Sequence, residues 1–136
     1  VRRLSSGVDG PPLRVGLADE RGEVAALWQG VPQFDVGRHT DILDGCRKAQ
    51  GLSILLRGMN PQVLAADEIT DPADVRAVEE AAGCGVALLA TAHGGSVTDL
   101  RRRPVYRALL DCGVFRQVVV MERRGTTRMA RVEALS

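Results

Sequence analysis

The sequence predicts an α/β fold, with a mostly parallel sheet flanked by helices and an antiparallel hairpin at the C-terminal end. Short apolar runs bounded by turn residues alternate with helical patterns, as in parallel sheets whose strands are buried on both faces. Polar clusters follow three of these runs directly. Residues 13–18 are predicted to form a strand, and residues 61–69, 86–90 and 117–121 are predicted to form three buried strands.

The remaining elements follow from caps and breakers. Residues 1–5 resemble the last turn of a helix, residues 23–28 fit either a helix or a strand, and residues 30–39 form a Gly- and Pro-containing loop of the kind that often carries function. Thr40 is predicted to cap a helix that continues through an apolar stretch to Met59. Further helices are predicted at about residues 71–82, capped by Asp71 or Asp74, and at 97–102 and 104–110, with a final strand at 128–135.

Composition bounds the function classes. The chain has 136 residues, is 45% hydrophobic and 26% charged, and carries a net charge of +1. These values are typical of one globular domain, or part of one, with no electrostatic commitment to nucleic acid. Four aromatic side chains supply few platforms for base stacking. The three cysteines and two histidines are scattered, which argues against a zinc site and favours a reducing cytosol.

The polar clusters are expected to meet at one edge of the sheet. They are Asp19-Glu20-Arg21, Asp67-Glu68 and Thr91-Ala92-His93, and each follows a predicted parallel strand. Parallel strands share a carboxyl edge, where open α/β sheets bind ligands. A solvated acidic turn and an ordinary loop histidine are the simpler interpretations of any single cluster, but three clusters together favour an active edge.

The stretch of residues 61–69 resembles a Walker-B strand of P-loop NTPases. An apolar run there ends in Asp67 and Glu68; in such enzymes an Asp holds Mg²⁺, and a neighbouring acid can activate water. Thr91 or His93 would then sense the γ-phosphate. However, the only lysine, Lys48, does not lie in a Gly-x-x-x-x-Gly-Lys-[Ser/Thr] loop, so Walker A is absent. The phosphate-binding loop is therefore expected upstream, and the fragment is expected to be inactive alone.

The order of motifs resembles the stage III sporulation protein AA family. The resemblance covers about residues 13–124, with Gly-Val-Pro-Gln at 30–33 and Asp-Val-Gly at 35–37 as its most specific parts. The matching blocks continue with Thr-Asp-Ile-Leu-Asp at 40–44, Leu-Arg-Gly-Met-Asn-Pro at 56–61, Asp-Glu-Ile at 67–69 and Thr-Ala-His-Gly at 91–94. His39 stands where the family pattern has an arginine before the Thr-Asp pair.

This resemblance implies the C-terminal part of a RecA-like ATPase domain related to type II and type IV secretion ATPases, spanning residues 1–136. It implies ATP and Mg²⁺ as cofactors, a hexameric ring, and a membrane protein of the sporulation channel complex as partner, on the cytoplasmic, mother-cell side. In this family-based assignment Asp67 orients Mg²⁺ through water and Glu68 is the catalytic base. Glu20 positions water, His93 and Thr91 are sensors, and Arg57 serves a neighbouring subunit's phosphate.

Two other interpretations stay open from the residues. A non-catalytic α/β interaction module would bind a partner without nucleotide. A nucleic-acid patch is the other interpretation, formed by Arg101, Arg102, Arg103 and Arg107. A solvated helix face explains these arginines more simply, and no direct nucleic-acid partner is expected. Without the P-loop strand, the sheet should show a gap, or an artificial pairing between residues 86–90 and 117–121.

Overall fold

A computed structural model describes residues 1–135, which form two compact units, residues 1–92 and residues 93–135. The first unit contains a four-stranded parallel sheet in the order β4-β1-β5-β6. Its elements are α1 (Arg2–Ser6), β1 (Val15–Ala18), β2 (Leu27–Trp28), β3 (Val31–Pro32), β4 (Thr40–Leu43), α2 (Lys48–Gly58), β5 (Val63–Ala66), α3 (Pro72–Gly83) and β6 (Ala87–Ala90). The prediction of one domain for the whole chain stays a prediction.

The sheet is covered on both faces by different parts of the chain. Val15 and Leu17 of β1 and the matching residues of β5 face Ala25 and Val36, from the connection between β1 and β4. On the other face α2 packs closely on β1, because Gly16 has no side chain; a Cβ there would lie 2.7 Å from Leu64 and 3.3 Å from Leu55. The α/β class with a mostly parallel sheet and flanking helices is therefore confirmed.

The predicted helix from Thr40 is wrong at its beginning. Thr40 to Leu43 form β4, which pairs in parallel with β1, and α2 begins only at Lys48. Thr40 and Ile42 are β-branched and suit an extended strand beside β1. The Thr40 hydroxyl donates to the Val36 carbonyl (2.7 Å) instead of capping a helix.

The second unit contains α4 (Val97–Arg101), α5 (Pro104–Asp111) and the hairpin of β7 (Gln117–Arg124) and β8 (Thr127–Ala134). The predicted hairpin is confirmed, with Arg124 paired to Thr127 across the turn. The prediction of a third buried strand at residues 117–121 is wrong, because β7 pairs only with β8 and only its Val120 is buried. The strand predicted at residues 86–90 is confirmed as β6, but the prediction that it is buried is wrong, because β6 lies at the edge of the sheet and none of its residues is buried. Among residues 1–135, β6 pairs only with β5, so the artificial pairing with residues 117–121 does not form.

Candidate functional site

The polar clusters after β1 and β5 lie side by side at the carboxyl edge of the sheet. Ala18 is in register with Ala66, so Glu20 and Glu68 follow neighbouring strand ends. A shallow depression of about 190 Å³ opens between them. Its lining is polar and charged: Glu20, Arg21, Lys48, Asp67, Glu68 and Thr70. We call this surface the carboxyl rim.

The carboxyl rim lies at a topological switch point. The connection that leaves β1 covers one face of the sheet through Ala25 and Val36. The connection that leaves β5 is α3, which packs beside α2 against the other face. Because the two connections depart in opposite directions, a crevice remains between the ends of β1 and β5, which is where open α/β sheets bind ligands.

Thr91 joins the acidic pair to the end of β6. Its hydroxyl donates to Asp67 Oδ1 (3.0 Å) and accepts from the Glu68 amide (2.8 Å). The Ile69 amide donates to the Thr91 carbonyl (3.1 Å), and the Ile69 side chain is fully buried. Hydrogen bonds therefore join the residues that follow β5 to those that follow β6. Of the cluster Thr91-Ala92-His93, it is Thr91 that meets Asp67 and Glu68, as predicted.

Glu68 has an unusual backbone conformation. Its φ of +24° lies in the left-handed region, which costs a non-glycine residue on the order of 1–3 kcal/mol; Ala26, Gln29 and Asn60 of this chain also have a positive φ. Arg21 Nη2 lies 3.8 Å from Glu68 Oε2. The carboxylate therefore has a cation beside it on the rim, while the surrounding hydrogen bonds hold its backbone.

Lys48 is a residue of the rim that the sequence interpretation missed. Its side chain is only 7% exposed, and Nζ donates to the Glu68 carbonyl (2.6 Å) and lies 3.7 Å from Glu20 Oε2. The lack of a Walker A motif removed Lys48 from consideration as a phosphate ligand. The available signal was weak: Lys48 is the only lysine in the sequence, and its position inside the helix predicted from Thr40 gave no reason to place it at the rim.

Asp19 has a structural position although it belongs to a predicted polar cluster. Its side chain is 1% exposed, and its carboxylate accepts from the Val24 amide (3.1 Å) and the Ala25 amide (2.9 Å). These contacts hold the connection that covers β1. Glu20, the next residue, turns to the rim.

Two predicted site residues are not part of the carboxyl rim: Arg57 lies elsewhere in the first unit, and His93 belongs to the second unit. Arg57 lies at the opposite edge of the sheet, beside Gln62 and Val86 at the amino ends of β5 and β6, and its Nη2 is 3.3 Å from Glu80 Oε1. His93 is exposed and is the first residue of the second unit, where its carbonyl accepts from Arg103.

Three of the four arginines of the cluster make contacts within their own unit. Arg101 forms an ion pair with Asp111 (2.6 Å), and Arg107 donates to the Arg101 carbonyl (3.0 Å). The Arg103 guanidinium stacks 4.4 Å from the centre of the Tyr106 ring. The contacts of Arg101 and Arg107 join α4 to α5, so three of the four arginines have a structural explanation.

Residues 1–135 contain neither a cluster of metal ligands nor a helix that could span a membrane. No group of three or more His, Cys, Asp or Glu side chains there is arranged to hold a metal ion. Mg²⁺ commonly binds only one or two carboxylates and completes its coordination shell with phosphates and water. Asp67 could serve as such a single carboxylate. Over the same residues, no helix has the length and apolar character needed to cross a bilayer.

The fold and the rim together define an α/β protein with a charged site at the carboxyl edge of a parallel sheet. The sequence profile of the family described as "Sporulation stage III, protein AA" matches residues 1–133. "Stage III sporulation protein AA" of Bacillus subtilis (strain 168) is 38% identical over 112 residues, covering 82% of this chain and 36% of that protein. The chain belongs to the stage III sporulation protein AA family, as the motif order predicted, and spans little more than a third of that relative.

Proposed function

We propose that the complete protein carrying this chain hydrolyses ATP, and that the carboxyl rim activates the attacking water. The observation that carries this proposal is the placement of Asp67 and Glu68 at the end of β5, held by Thr91 and facing Glu20 across the depression. Two differently held carboxylates beside a crevice suit a base and a water-positioning group. The resemblance of residues 61–69 to a Walker-B strand supports the comparison with ATPases.

Glu68 is the proposed base and Glu20 the second water-positioning group. The water oxygen attacks the γ-phosphorus, the bond from that phosphorus to the β,γ-bridging oxygen breaks to release ADP, and Glu68 takes the proton. Asp67 would orient Mg²⁺ through water, and the ion would neutralise charge on the phosphates when bound. Thr91 couples the Asp67 carboxylate to the Glu68 amide, so it is placed to transmit the presence of a γ-phosphate.

The phosphate cradle would come from outside this chain. The sequence contains no Walker A motif, and the depression of about 190 Å³ is smaller than the roughly 300–1,000 Å³ of most small-molecule sites. We propose that another segment of the complete protein supplies the phosphate-binding loop. Self-association into a hexameric ring would bring a neighbour's phosphates to Arg57, and His93 would act as a further sensor.

The proposed cellular role is work at a membrane complex during spore formation. ATP hydrolysis would drive assembly or transport at that complex, from the cytoplasm on the mother-cell side, with a membrane protein of the complex as partner. Membership in a family named for sporulation supports this role.

Mass photometry of the complete protein with ATP and Mg²⁺ tests the proposed hexameric ring. A hexamer is expected, and a monomer under all conditions would exclude the ring.

The decisive experiment is Mg²⁺-dependent ATP turnover by the complete protein and by its Glu68→Gln variant. We expect the substitution to lower kcat by about 10²–10⁴-fold, since the amide cannot accept the water proton. Glu79→Gln, at an exposed position of α3, is the matched control and should turn over ATP normally. Retained turnover in Glu68→Gln would remove the base assignment.

A non-catalytic interaction module is the second candidate, favoured by the hairpin of β2 and β3. Trp28 and Val31 are paired across that hairpin and are 69% and 58% exposed, so two large apolar side chains lie together on the surface. Sporulation of a strain that carries Glu68→Gln separates the two candidates. An ATPase requires loss of sporulation with the protein still present at normal abundance, whereas a module predicts normal spores.

A further inference from the structure

The Glu68 backbone is held at both of its polar groups by side chains of other segments. Its amide donates to the Thr91 hydroxyl (2.8 Å), and its carbonyl accepts from Lys48 Nζ (2.6 Å). Neither bond belongs to the ladder of the sheet. Because φ at Glu68 is +24°, the chain would relax toward ordinary values unless such contacts fixed it.

Lys48 is placed to make this contact without reaching solvent. It is the first residue of α2, which begins at the carboxyl edge, and its side chain is 7% exposed. A buried ammonium group requires polar partners, and the Glu68 carbonyl and the Glu20 carboxylate provide them. The neighbouring Arg47 is exposed, so the two adjacent cations have different surroundings.

We propose that Lys48 is a positioning residue that fixes the Glu68 carboxylate through its backbone carbonyl and aligns Glu20 through an ion pair. One ammonium group thus contacts the Glu20 carboxylate and the backbone of Glu68, the two residues assigned to the attacking water. This differs from the role of a P-loop lysine, which contacts phosphate directly. The proposal rests on the proposed ATPase function for its kinetic consequence, but the backbone contact can be tested without it.

The first test is hydrogen exchange of the complete protein and its Lys48→Met variant. Without the Nζ contact, we expect amides of residues 68–70 to exchange about tenfold faster, while those of α3 keep their rates. Arg47→Met, which removes the exposed cation one residue earlier, should leave residues 68–70 unchanged. Lys48→Arg retains a cationic donor and should restore most of the protection, which also covers the case in which Lys48→Met fails to fold.

The second test is the split between kcat and KM for ATP. Displacement of the base lowers kcat by about 10²-fold in Lys48→Met and leaves KM within about twofold. A large rise in KM with unchanged exchange at residues 68–70 would show a phosphate-binding lysine and overturn the proposal. Faster exchange throughout the first unit would show a general structural role and overturn it as well.

Hydrogen exchange and ATP kinetics together distinguish a failure of the Lys48 proposal from a failure of the proposed ATPase function. If the wild-type complete protein hydrolyses no ATP, the proposed function fails, while exchange at residues 68–70 still judges the Lys48 contact. If turnover is normal and Lys48→Met changes neither exchange nor kcat, the Lys48 proposal fails alone.

Discussion

Adjacent carboxylates after β1 have opposite surroundings. Asp19 is buried and accepts hydrogen bonds from two backbone amides, whereas Glu20 is exposed and lines the carboxyl rim beside Lys48. A buried acceptor that serves two amides contributes to folding, because its removal leaves both donors without a partner. The cluster therefore joins a structural residue to a candidate functional one.

Asp19→Ala should destabilise the first unit by about 3 kcal/mol, since the Val24 and Ala25 amides lose their acceptor in a buried place. Chemical denaturation measures this change. Asp41→Ala, at an exposed position of β4, is the control and should stay within about 0.5 kcal/mol of wild type. Equal effects of the two substitutions would contradict the role given to Asp19.

Thr91→Val retains the shape of the side chain but removes both hydrogen bonds to the acidic pair. We expect a modest loss of stability, about 1 kcal/mol because the site is exposed, together with a clear loss of ATP turnover in the complete protein. Thr98→Val, at an exposed position of α4, should change neither quantity. Unaltered turnover in Thr91→Val would exclude a part for Thr91 in the reaction.

Among the elements, α3 shows the closest agreement between sequence and structure. Asp71 caps the helix by accepting from the Ala73 amide (2.7 Å), and Asp74 accepts from the Asp71 amide (3.1 Å). Pro72 occupies the first helical position, where its missing N–H is not needed. These signals are local, so they could be recognised from neighbouring residues.

Asp71→Ala should lower the free energy of unfolding by about 1 kcal/mol, because the Ala73 amide loses its cap. Asp71→Asn retains an acceptor oxygen and should lose less than half as much. Thermal unfolding of both variants measures the difference. If Asp71→Asn lost as much stability as Asp71→Ala, the charge of Asp71, and not its hydrogen bond as a cap, would matter at this position.

At the scale of the whole molecule, the two units differ in how well their strands are supported. β5 lies between β1 and β6 and all four of its residues are buried, whereas β7 pairs with β8 alone. Val119, Met121 and Val132 of that hairpin are more than half exposed. A two-stranded hairpin with so little burial is marginally stable.

Hydrogen exchange of this chain should therefore divide it at about residue 92. We expect amides of β5 to exchange at least about 100-fold more slowly than those of β7, because β5 opens only when the buried sheet unfolds. Amide-resolved NMR exchange measures both strands in one sample. Equal protection in β5 and β7 would mean that the two units unfold together.

The sequence determined the α/β class, the hairpin, the capped helix α3 and the polar ends of β1, β5 and β6, since each depends on neighbouring residues and on periodicity. Only the tertiary structure decided that residues 40–43 extend beside β1, that β7 leaves the parallel sheet, and that Arg57 lies at the opposite edge from Glu68. Those outcomes depend on which strand finds a partner. The contact of Lys48 with Glu68 likewise joins residues 20 positions apart, and no local pattern records where a flexible side chain is buried.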